Sequence, residues 1–327
     1  MRFLRNRHTD PAFNMAFDEF CLEKLELDEP VFYLWQNRPS VILGYNQEVN
    51  TEVNLDYLKR EGILLARRVT GGGAVYHDLG NLNYTIVGRS DNLERDYPQY
   101  ARMMMDALRT LGVPAELSGR NDILVEGRKV SGFAKRVCKD RLMVHGTLMF
   151  RVDMERLTHV LTPPATKLQS KGIASVRSRV ANLSDFLPAM ESVETFAQQL
   201  EEILSNGYAD KEYVLPDNAL ELVHRLAEEK FGTDEWIYGR SPRATMEKNV
   251  RMACGNVGIH LQVSGNRIVS CRFSGDFMGN LPVAALESGL EGVVYDYESV
   301  CGKLEQLEVQ RYFDGVSADE MARNLFF

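Results

Sequence analysis

Paired cysteines, long apolar runs and a surplus of positive charge are all missing from this sequence. Its five cysteines lie far apart and form no C-x-x-C pair, which excludes the usual spacing of a zinc site or a redox dithiol. Scattered thiols of odd number favour a reducing compartment, so we expect a cytoplasmic protein. No run approaches the roughly 20 apolar residues of a membrane span, and residues 1–14 lack the apolar centre of a signal peptide.

The charge balance narrows the class of partner. With 38 lysines and arginines against 46 acidic residues, the formal net charge is −8, whereas a nucleic-acid-binding protein usually carries a basic face. Hydrophobic residues make up 44% of the chain and charged residues 26%, as in ordinary globular proteins. The 327 residues leave room for two domains. We expect neither nucleic acid nor a membrane among the partners.

Hydrophobic periodicity divides the chain into two parts. Amphipathic helices alternate with short strands and glycine turns through residue 231. The pattern breaks over residues 232–245, where glycine, proline and small residues gather. Beyond this break, two alternating runs flank "SGN", which is typical of a hairpin, and helical patterns follow. The sequence predicts an α+β fold, with a mixed sheet in a domain of residues 1–240 and a small α+β domain of residues 241–327.

The stretch "RRVTGGGAVYHDLGN", residues 67–81, places three glycines after two arginines. It matches neither the P-loop nor the G-x-G-x-x-G dinucleotide pattern, and no helix follows it. We predict a strand, a glycine turn that wraps a sheet edge and a returning strand, with backbone N–H groups able to face anionic oxygens. Alternation sends Arg67 and Arg68 to opposite faces. The alternative is a plain hairpin turn, which the polar His77 and Asp78 make less attractive.

A second polar cluster lies in residues 119–136, where the turn "EGRK" leads Lys129 into a strand beside small residues. A compact ammonium there can stabilise charge that moves between a carboxylate and a phosphate; the alternative is a solvated turn lysine. His145 follows an apolar pair and can orient substrate or act as an acid or base; the alternative is a hydrogen-bonded core histidine. The basic stretch from Lys167 to Arg179 is compatible with a lid over an anion or with a solvated loop.

Four blocks of sequence together resemble one known family. They are "RRVTGGGAVYHDLGNLNYTIV", "GRNDILVEGRKVSG", "HGTLMF" and "KGIASVRSRVANL". In order and spacing they are similar to the signature blocks of lipoate–protein ligase A, and the similarity extends to a C-terminal accessory domain. The resemblance implies a mixed-sheet catalytic domain of the biotin and lipoate ligase type, related to class II tRNA synthetases.

The resemblance also implies a two-step reaction. ATP and lipoate would give lipoyl-AMP and pyrophosphate, with Mg²⁺ neutralising phosphate charge. The lipoyl group would then pass to a lysine on a lipoyl domain of a 2-oxoacid dehydrogenase acyltransferase subunit, or on the glycine cleavage H protein. We expect a monomer that acts in the cytoplasm.

Individual residues receive roles from the same resemblance. Lys129 would bind both substrates and serve catalysis, and Asp122 is our candidate ligand for Mg²⁺. Asn14 and Trp35 would help to form the lipoate end of the site, with His145 beside it. The other residues expected to bind ATP or lipoate lie in the glycine block and are Arg68, Gly73, Ala74, Val75, Tyr76, His77 and Asn83.

Three other functions remain open from the residues alone. An octanoyl- or lipoyl-transferase of the same fold would use a cysteine nucleophile and no ATP, but the segment before Lys129 holds no cysteine, and Cys138 follows it by nine positions. A biotin ligase would show a G-R-G-R-x-G-R-x-W pattern, which is absent. A non-catalytic ligand-binding protein would explain the glycine loop without requiring Lys129.

Overall fold

The computed structural model describes residues 1–327 except 46, 48, 119–120, 162–178, 206–211, 239–243, 276, 278–279, 282 and 327. The described chain divides into two compact units. The first holds Met1–Tyr45, Gly62–Leu161 and the described part of Lys171–Thr233, and the second holds Asn46–Glu61 and Asp234–Phe327. Most of the basic stretch that was considered as a lid, including Lys167, Lys171 and Arg177, lies outside the described residues.

Two sheets form the centre of the first unit. Its strands are β1 (Arg2–Phe3), β2 (Val31–Trp35), β3 (Ser40–Leu43), β4 (Leu64–Arg67), β5 (Val75–His77), β6 (Asn81–Arg89), β7 (Ala115–Ser118), β8 (Asp122–Val125), β9 (Arg128–Cys138) and β10 (Arg141–Met149). Seven of them pair in the order β1-β2-β6-β10-β9-β8-β7, and the others form a small sheet in the order β4-β3-β5. Apart from the parallel pair β1–β2, the pairs in the large sheet are antiparallel.

The first unit also contains five α-helices of the described chain, some of which pack on the large sheet. They are α1 (Pro11–Lys24), α4 (Leu93–Thr110), α5 (Met154–Val160), α6 (Val193–Ser205) and α7 (Ala219–Leu226). Asp10 begins α1 as its N-cap by accepting bonds from the N–H groups of Ala12 and Phe13, and Pro11 occupies the first turn, where no N–H is needed. Met104 and Leu108 on α4 are fully buried in the core.

The glycine stretch connects strands differently from our prediction. The returning strand β5 does not pair with β4, because both pair with β3, which lies between them. The loop therefore crosses over the end of β3 instead of wrapping a sheet edge, and that part of the prediction was wrong. Strands β2 and β3, which follow each other along the chain, also belong to different sheets.

The second unit has its own sheet and core. Strands β11 (Ala244–Met252), β12 (Gly255–Ser264) and β13 (Arg267–Gly275) form an antiparallel sheet, and β11 was missed from sequence. The helices of this unit are α2 (Val49–Glu52), α3 (Leu55–Glu61), α8 (Asp234–Tyr238), α9 (Ala284–Leu290), α10 (Tyr297–Gln306) and α11 (Ala318–Leu325). Its core gathers Val257, Ile259 and Leu261 of β12 with Leu286 and Phe313.

Among the described residues, no helix is both long and apolar enough to cross a membrane. The expected division of the chain at residue 240 stays a prediction.

Candidate active site

A cavity in the first unit lies between residues of the large and the small sheet. It spans about 610 Å³, a volume that includes space open to solvent. Apolar side chains such as Met15, Trp35, Ile42 and Phe133 form part of its lining. The predicted residues that line it are Trp35, Arg68, Gly73, Ala74, Val75, His77, Asn83, Lys129 and His145.

Three predicted residues lie outside this lining. Tyr76 is buried, and alternation along β5 turns it away from the face that Val75 and His77 present to the cavity. Asn14 is buried within α1 and hydrogen-bonded to neighbouring chain segments. Asp122 lies beside Lys129, with its Oδ1 2.8 Å from the lysine Nζ.

Arg68 holds the glycine loop in place through hydrogen bonds to its backbone. Its Nη2 donates to the carbonyl oxygens of Gly71 and Gly73 at 2.8 Å each, and its Nη1 donates to Ile42 at 3.1 Å. Its Nε donates to Thr70 Oγ1 at 3.0 Å. Burial lowers the pKa of Arg68 to about 10, so the guanidinium stays charged at neutral pH. The loop is therefore shaped by one buried cation before any ligand arrives.

Two glycines allow the loop to cross β3. Gly72 has a φ of +97°, which residues other than glycine rarely adopt. A Cβ on Gly44, the residue after β3, would lie 2.0 Å from the Gly72 carbonyl oxygen. Gly72 and Gly44 can therefore approach each other closely because neither has a side chain. The sequence pattern did not indicate that Gly44 is the partner of the glycine loop.

Arg67 takes the opposite side from Arg68, as alternation predicted. It is fully buried and donates from Nη1 to the carbonyl oxygens of Gly44 and Tyr45 at 3.0 and 3.1 Å. It does not line the cavity, so Arg68 is the arginine that faces a ligand. Both arginines shape the chain around the loop.

His145 is connected to α1 through a carboxylate that sequence reasoning missed. Its Nδ1 lies 2.6 Å from Asp18 Oδ2, and its Nε2 lies 2.7 Å from Thr70 Oγ1. Asp18 Oδ1 also accepts from Tyr33 Oη at 2.6 Å and from Thr85 Oγ1 at 3.0 Å. Tyr33, Thr85 and His145 are direct neighbours across β2, β6 and β10, so their side chains converge on the same face. The network thus links the cavity wall to the Arg68 loop.

For a neutral His145 ring, the hydrogen bonds define one proton arrangement in this network. Arg68 Nε can only donate, so Thr70 Oγ1 accepts from it and can give its own proton to His145 Nε2. His145 then carries a proton on Nδ1 and donates it to Asp18. The Asp18 carboxylate therefore orients the imidazole. A hydrogen bond at one ring nitrogen of a histidine commonly fixes the role of the other nitrogen in this way.

Lys129 owes its position to an irregularity between β8 and β9. The register shifts between Ile123 and Leu124, and bulges of this kind often re-aim side chains beside active sites. The Lys129 backbone is also held by a bond to the Arg179 carbonyl at 2.7 Å. A Cβ on Gly132 would lie 2.8 Å from Lys129 Nζ, so the small residue leaves room for the ammonium at the cavity.

Comparison with known proteins decides which family this site belongs to. The model of the lipoyl protein ligase A/B catalytic domain matches residues 10–205, and that of the bacterial lipoate protein ligase C-terminus matches residues 241–325. The first match alone covers more than half of the chain. The chain belongs to the lipoate–protein ligase family.

Individual members of the family are similar to this chain over most of its length. Lipoate-protein ligase LplJ of Bacillus subtilis (strain 168) is 37% identical to it over 98% of each chain. The structure of a bi-partite lipoate protein ligase from Thermoplasma acidophilum, from work that includes its E2 lipoyl domain, covers 72% of this chain and 95% of its own, at 32% identity and a TM-score of 0.63. Lipoate-protein ligase A bound with ATP covers 72% and 97%, at 30% identity and a TM-score of 0.62. The predicted family and its α+β fold are confirmed.

For a lipoate–protein ligase, the remaining cavity residues add both apolar and polar groups to the lining. Thr147 shares a face of β10 with His145 and accepts from the Gly132 N–H at 3.2 Å, so strand alternation could have found it. Asp18 and Gly44 could not be found in this way, because their partners come from distant parts of the chain.

Proposed function

We propose that this chain is an ATP-dependent lipoate–protein ligase, which activates lipoate to lipoyl-AMP and then transfers the lipoyl group to a lysine. One observation carries the proposal: a single cavity combines the apolar Met15, Trp35 and Ile42 with the ammonium of Lys129 and the Arg68 loop. An apolar acid needs an apolar slot with a few polar groups at one end. Ligase relatives along nearly the whole chain support the same conclusion.

In the first step, a carboxylate oxygen of lipoate bonds to the α-phosphorus of ATP, and the bond from that phosphorus to pyrophosphate breaks. Both reactants are anions, so their approach requires fixed positive charge. Lys129, about one-third exposed at the cavity, supplies an ammonium, while Arg68 supplies a buried guanidinium. In the second step, the amine of the acceptor lysine attacks the acyl carbon and loses a proton, and AMP leaves.

We propose further that ATP binds together with Mg²⁺ and that Asp122 is the protein ligand. Mg²⁺ usually takes one or two carboxylates, with substrate phosphates and water completing its shell. The Asp122 carboxylate is about one-third exposed beside Lys129, which suits such a ligand. Within the described ranges, no group of three or more His, Cys, Asp or Glu side chains could cage a metal, so the phosphates would supply the other ligands.

The acceptors follow from the same proposal. One relative comes from work that includes its E2 lipoyl domain, which supports lipoyl domains of 2-oxoacid dehydrogenase acyltransferase subunits as partners, with the glycine cleavage H protein as a second acceptor. We propose a monomer with its catalytic domain in residues 1–240 and an accessory domain in 241–327. The five unpaired cysteines support a cytoplasmic location.

Release of pyrophosphate tests the proposal directly. Purified protein with ATP and Mg²⁺ should release pyrophosphate only when lipoate is present, and added lipoyl domain should gain one lipoyl group by mass spectrometry. Pyrophosphate release at the same rate with and without lipoate would contradict the proposal. Acyl transfer from an acylated donor protein in the absence of ATP would also contradict it.

A cysteine-dependent transferase finds no support in the cavity. Cys138 ends β9, and no cysteine lies among the described residues that line the cavity. Cys138→Ser should therefore keep lipoate-dependent pyrophosphate release and lipoyl transfer at the wild-type rate. Loss of transfer in this variant would revive the transferase mechanism.

A further inference from the structure

His77 is a buried histidine whose second ring nitrogen has no partner. The side chain is 3% exposed and lines the cavity next to Trp35, with ring centroids 6.1 Å apart. Its Nδ1 lies 3.0 Å from Asn37 Nδ2, whereas its Nε2 is buried without a hydrogen-bond partner among the described residues. Buried polar atoms are rarely left unpaired, so this nitrogen indicates a ligand contact.

A relay of buried amides determines which ring nitrogen carries the proton. Asn14 Nδ2 lies 3.0 Å from the His8 carbonyl oxygen and 2.9 Å from that of Gln36. Carbonyl oxygens only accept, so the amide nitrogen of Asn14 must face them. The same nitrogen lies 2.8 Å from Asn37 Oδ1, and a nitrogen in that place would bring two donors together. The orientation of Asn37 is therefore fixed by two main-chain carbonyls.

The relay ends on His77. With its oxygen turned toward Asn14, Asn37 presents its amide nitrogen to His77 Nδ1. An amide nitrogen only donates, so Nδ1 must accept, and the neutral ring carries its proton on Nε2. Burial, followed by the charge of Arg68 and by His145, lowers the pKa of His77 to about 3. The ring is therefore neutral across the physiological range and has one N–H, which is free to donate in the cavity.

We propose that Asn37, itself oriented by Asn14, is a positioning residue that fixes His77 as a neutral Nε2–H donor to the carboxyl oxygen of the bound acid. This inference rests on the proposed function. Trp35 lies beside His77 in the lining and favours the apolar acid over the phosphates of ATP at this place, and the strong acceptors of that acid are on its carboxyl group. Asn83 lies directly across from Trp35 in the sheet and also has a buried amide nitrogen without a partner, so two polar groups flank the indole.

A neutral donor suits this reaction at both steps. An imidazolium would pair with the carboxylate and oppose its attack on phosphorus, whereas a neutral N–H orients the oxygen without neutralising it. When the lysine amine attacks, negative charge develops on the acyl oxygen, and a fixed donor stabilises it. His77 would thus touch the reacting group, and Asn37 would act only through His77.

Asn37→Asp tests the relay while keeping the size of the side chain. One carboxylate oxygen still accepts from Asn14, but the other now faces His77 Nδ1 and requires a proton there. At pH 8 the neutral ring should carry its proton on Nδ1, which leaves a lone pair on Nε2. At lower pH both nitrogens should be protonated, which restores the donor. The charged or titratable groups that face His77 are then Arg68, His145 and the new carboxylate.

The expected kinetics have a distinctive pH dependence. At pH 8, kcat/KM for lipoate in pyrophosphate release should fall on the order of 10²-fold, as when one positioned donor is lost. The loss should shrink as the pH falls, because the new carboxylate raises the pKa of the ring above its value in wild type and so favours protonation of both nitrogens. Gln36→Glu is the matched control, because it adds the same charge one residue away; it removes the hydrogen bond from Gln36 Nε2 to the Leu79 carbonyl oxygen but no contact of His77. It should show the wild-type pH profile.

Nitrogen-15 NMR of the histidine rings reads the tautomer without any substrate. Wild type and Gln36→Glu should show His77 with Nε2–H, and Asn37→Asp at pH 8 should show Nδ1–H. His77→Phe assigns the signal and should lose activity without any recovery at low pH. A wild-type Nδ1–H tautomer would overturn the proposal, as would an Asn37→Asp variant with full activity, or with a loss that does not vary with pH. Absence of lipoate-dependent pyrophosphate release in wild type would instead overturn the proposed function, whatever tautomer is found.

Discussion

Replacing Asp18 with asparagine would show how much the buried network contributes to stability. Asp18 is 1% exposed and accepts three hydrogen bonds, from Tyr33, Thr85 and His145. In Asp18→Asn, the remaining oxygen can keep Tyr33 and Thr85. The new amide nitrogen would face His145 Nδ1, which carries a proton in the arrangement described above, so two donors would meet.

The imidazole can avoid this conflict only by moving its proton to Nε2. Thr70 Oγ1 would then receive donors from both Arg68 and His145, and its own proton would lose its acceptor. The variant loses one charge-assisted hydrogen bond, worth ~1.5–3 kcal/mol, and disturbs a second one. We therefore expect the free energy of unfolding to fall by about 2–3 kcal/mol.

Urea unfolding followed by tryptophan fluorescence measures this change. The chain has two tryptophans, and Trp35 lies in the first unit, so the measurement is made in a Trp236→Phe background. Asp140→Asn is the control, because Asp140 is an exposed partner of Arg89 and such pairs contribute ~0–1 kcal/mol. A change in Asp18→Asn no larger than in this control would refute the proton arrangement that we assign to His145.

Three further results are expected. Gly44→Ala should raise the KM for lipoate and ATP by on the order of 10-fold or more in pyrophosphate release, because its Cβ would displace the Gly72 carbonyl and misplace the loop; an unchanged KM would contradict this. Lys129→Ala should slow pyrophosphate release by ~10²–10³-fold at an unchanged urea midpoint, and full activity would remove Lys129 from the mechanism. The pKa of His77 is about 3, below its ordinary value, so its stabilising contribution is complete above ~pH 6.5 and is lost as the pH falls toward 3. His77→Phe should therefore flatten the fall of the urea midpoint between pH 7 and pH 4, and parallel curves for the two proteins would exclude this contribution.

Local patterns were sufficient to predict many of the elements. The starts of α1 and α11 depend on short-range features, because Asp10 and Ser317 accept hydrogen bonds from N–H groups two or three positions further along the chain. The hairpin of β12 and β13 turns at Gly265 and Asn266, which both have positive φ as the "SGN" signal implied. Such elements depend on residues a few positions apart, so they can be read from sequence.

What the sequence could not predict is which strands pair and which buried groups meet. Nothing local to β4 and β5 shows that β3 lies between them, so the glycine loop was interpreted as a turn at an edge. Asp18 meets His145 across 127 positions of sequence, and Asn37 meets His77 across 40. Asn14 was expected to form the lipoate end, but the structure places it behind the lining, where it reaches the cavity only through Asn37 and His77.

The helices between β3 and β4 have a consequence for how the chain is made. These strands pair in parallel, so they require a crossover, and α2 and α3 provide it. The crossover groups with the C-terminal residues, where Lys59 pairs with Glu298, and where burial and the carboxylates of Asp296 and Glu298 raise the pKa of Asp56. During synthesis, α2 and α3 therefore leave the ribosome long before the C-terminal residues that group with them have been made. A chain that ends before residue 234 would contain the cavity residues, but α2 and α3 would lack the C-terminal residues with which they group.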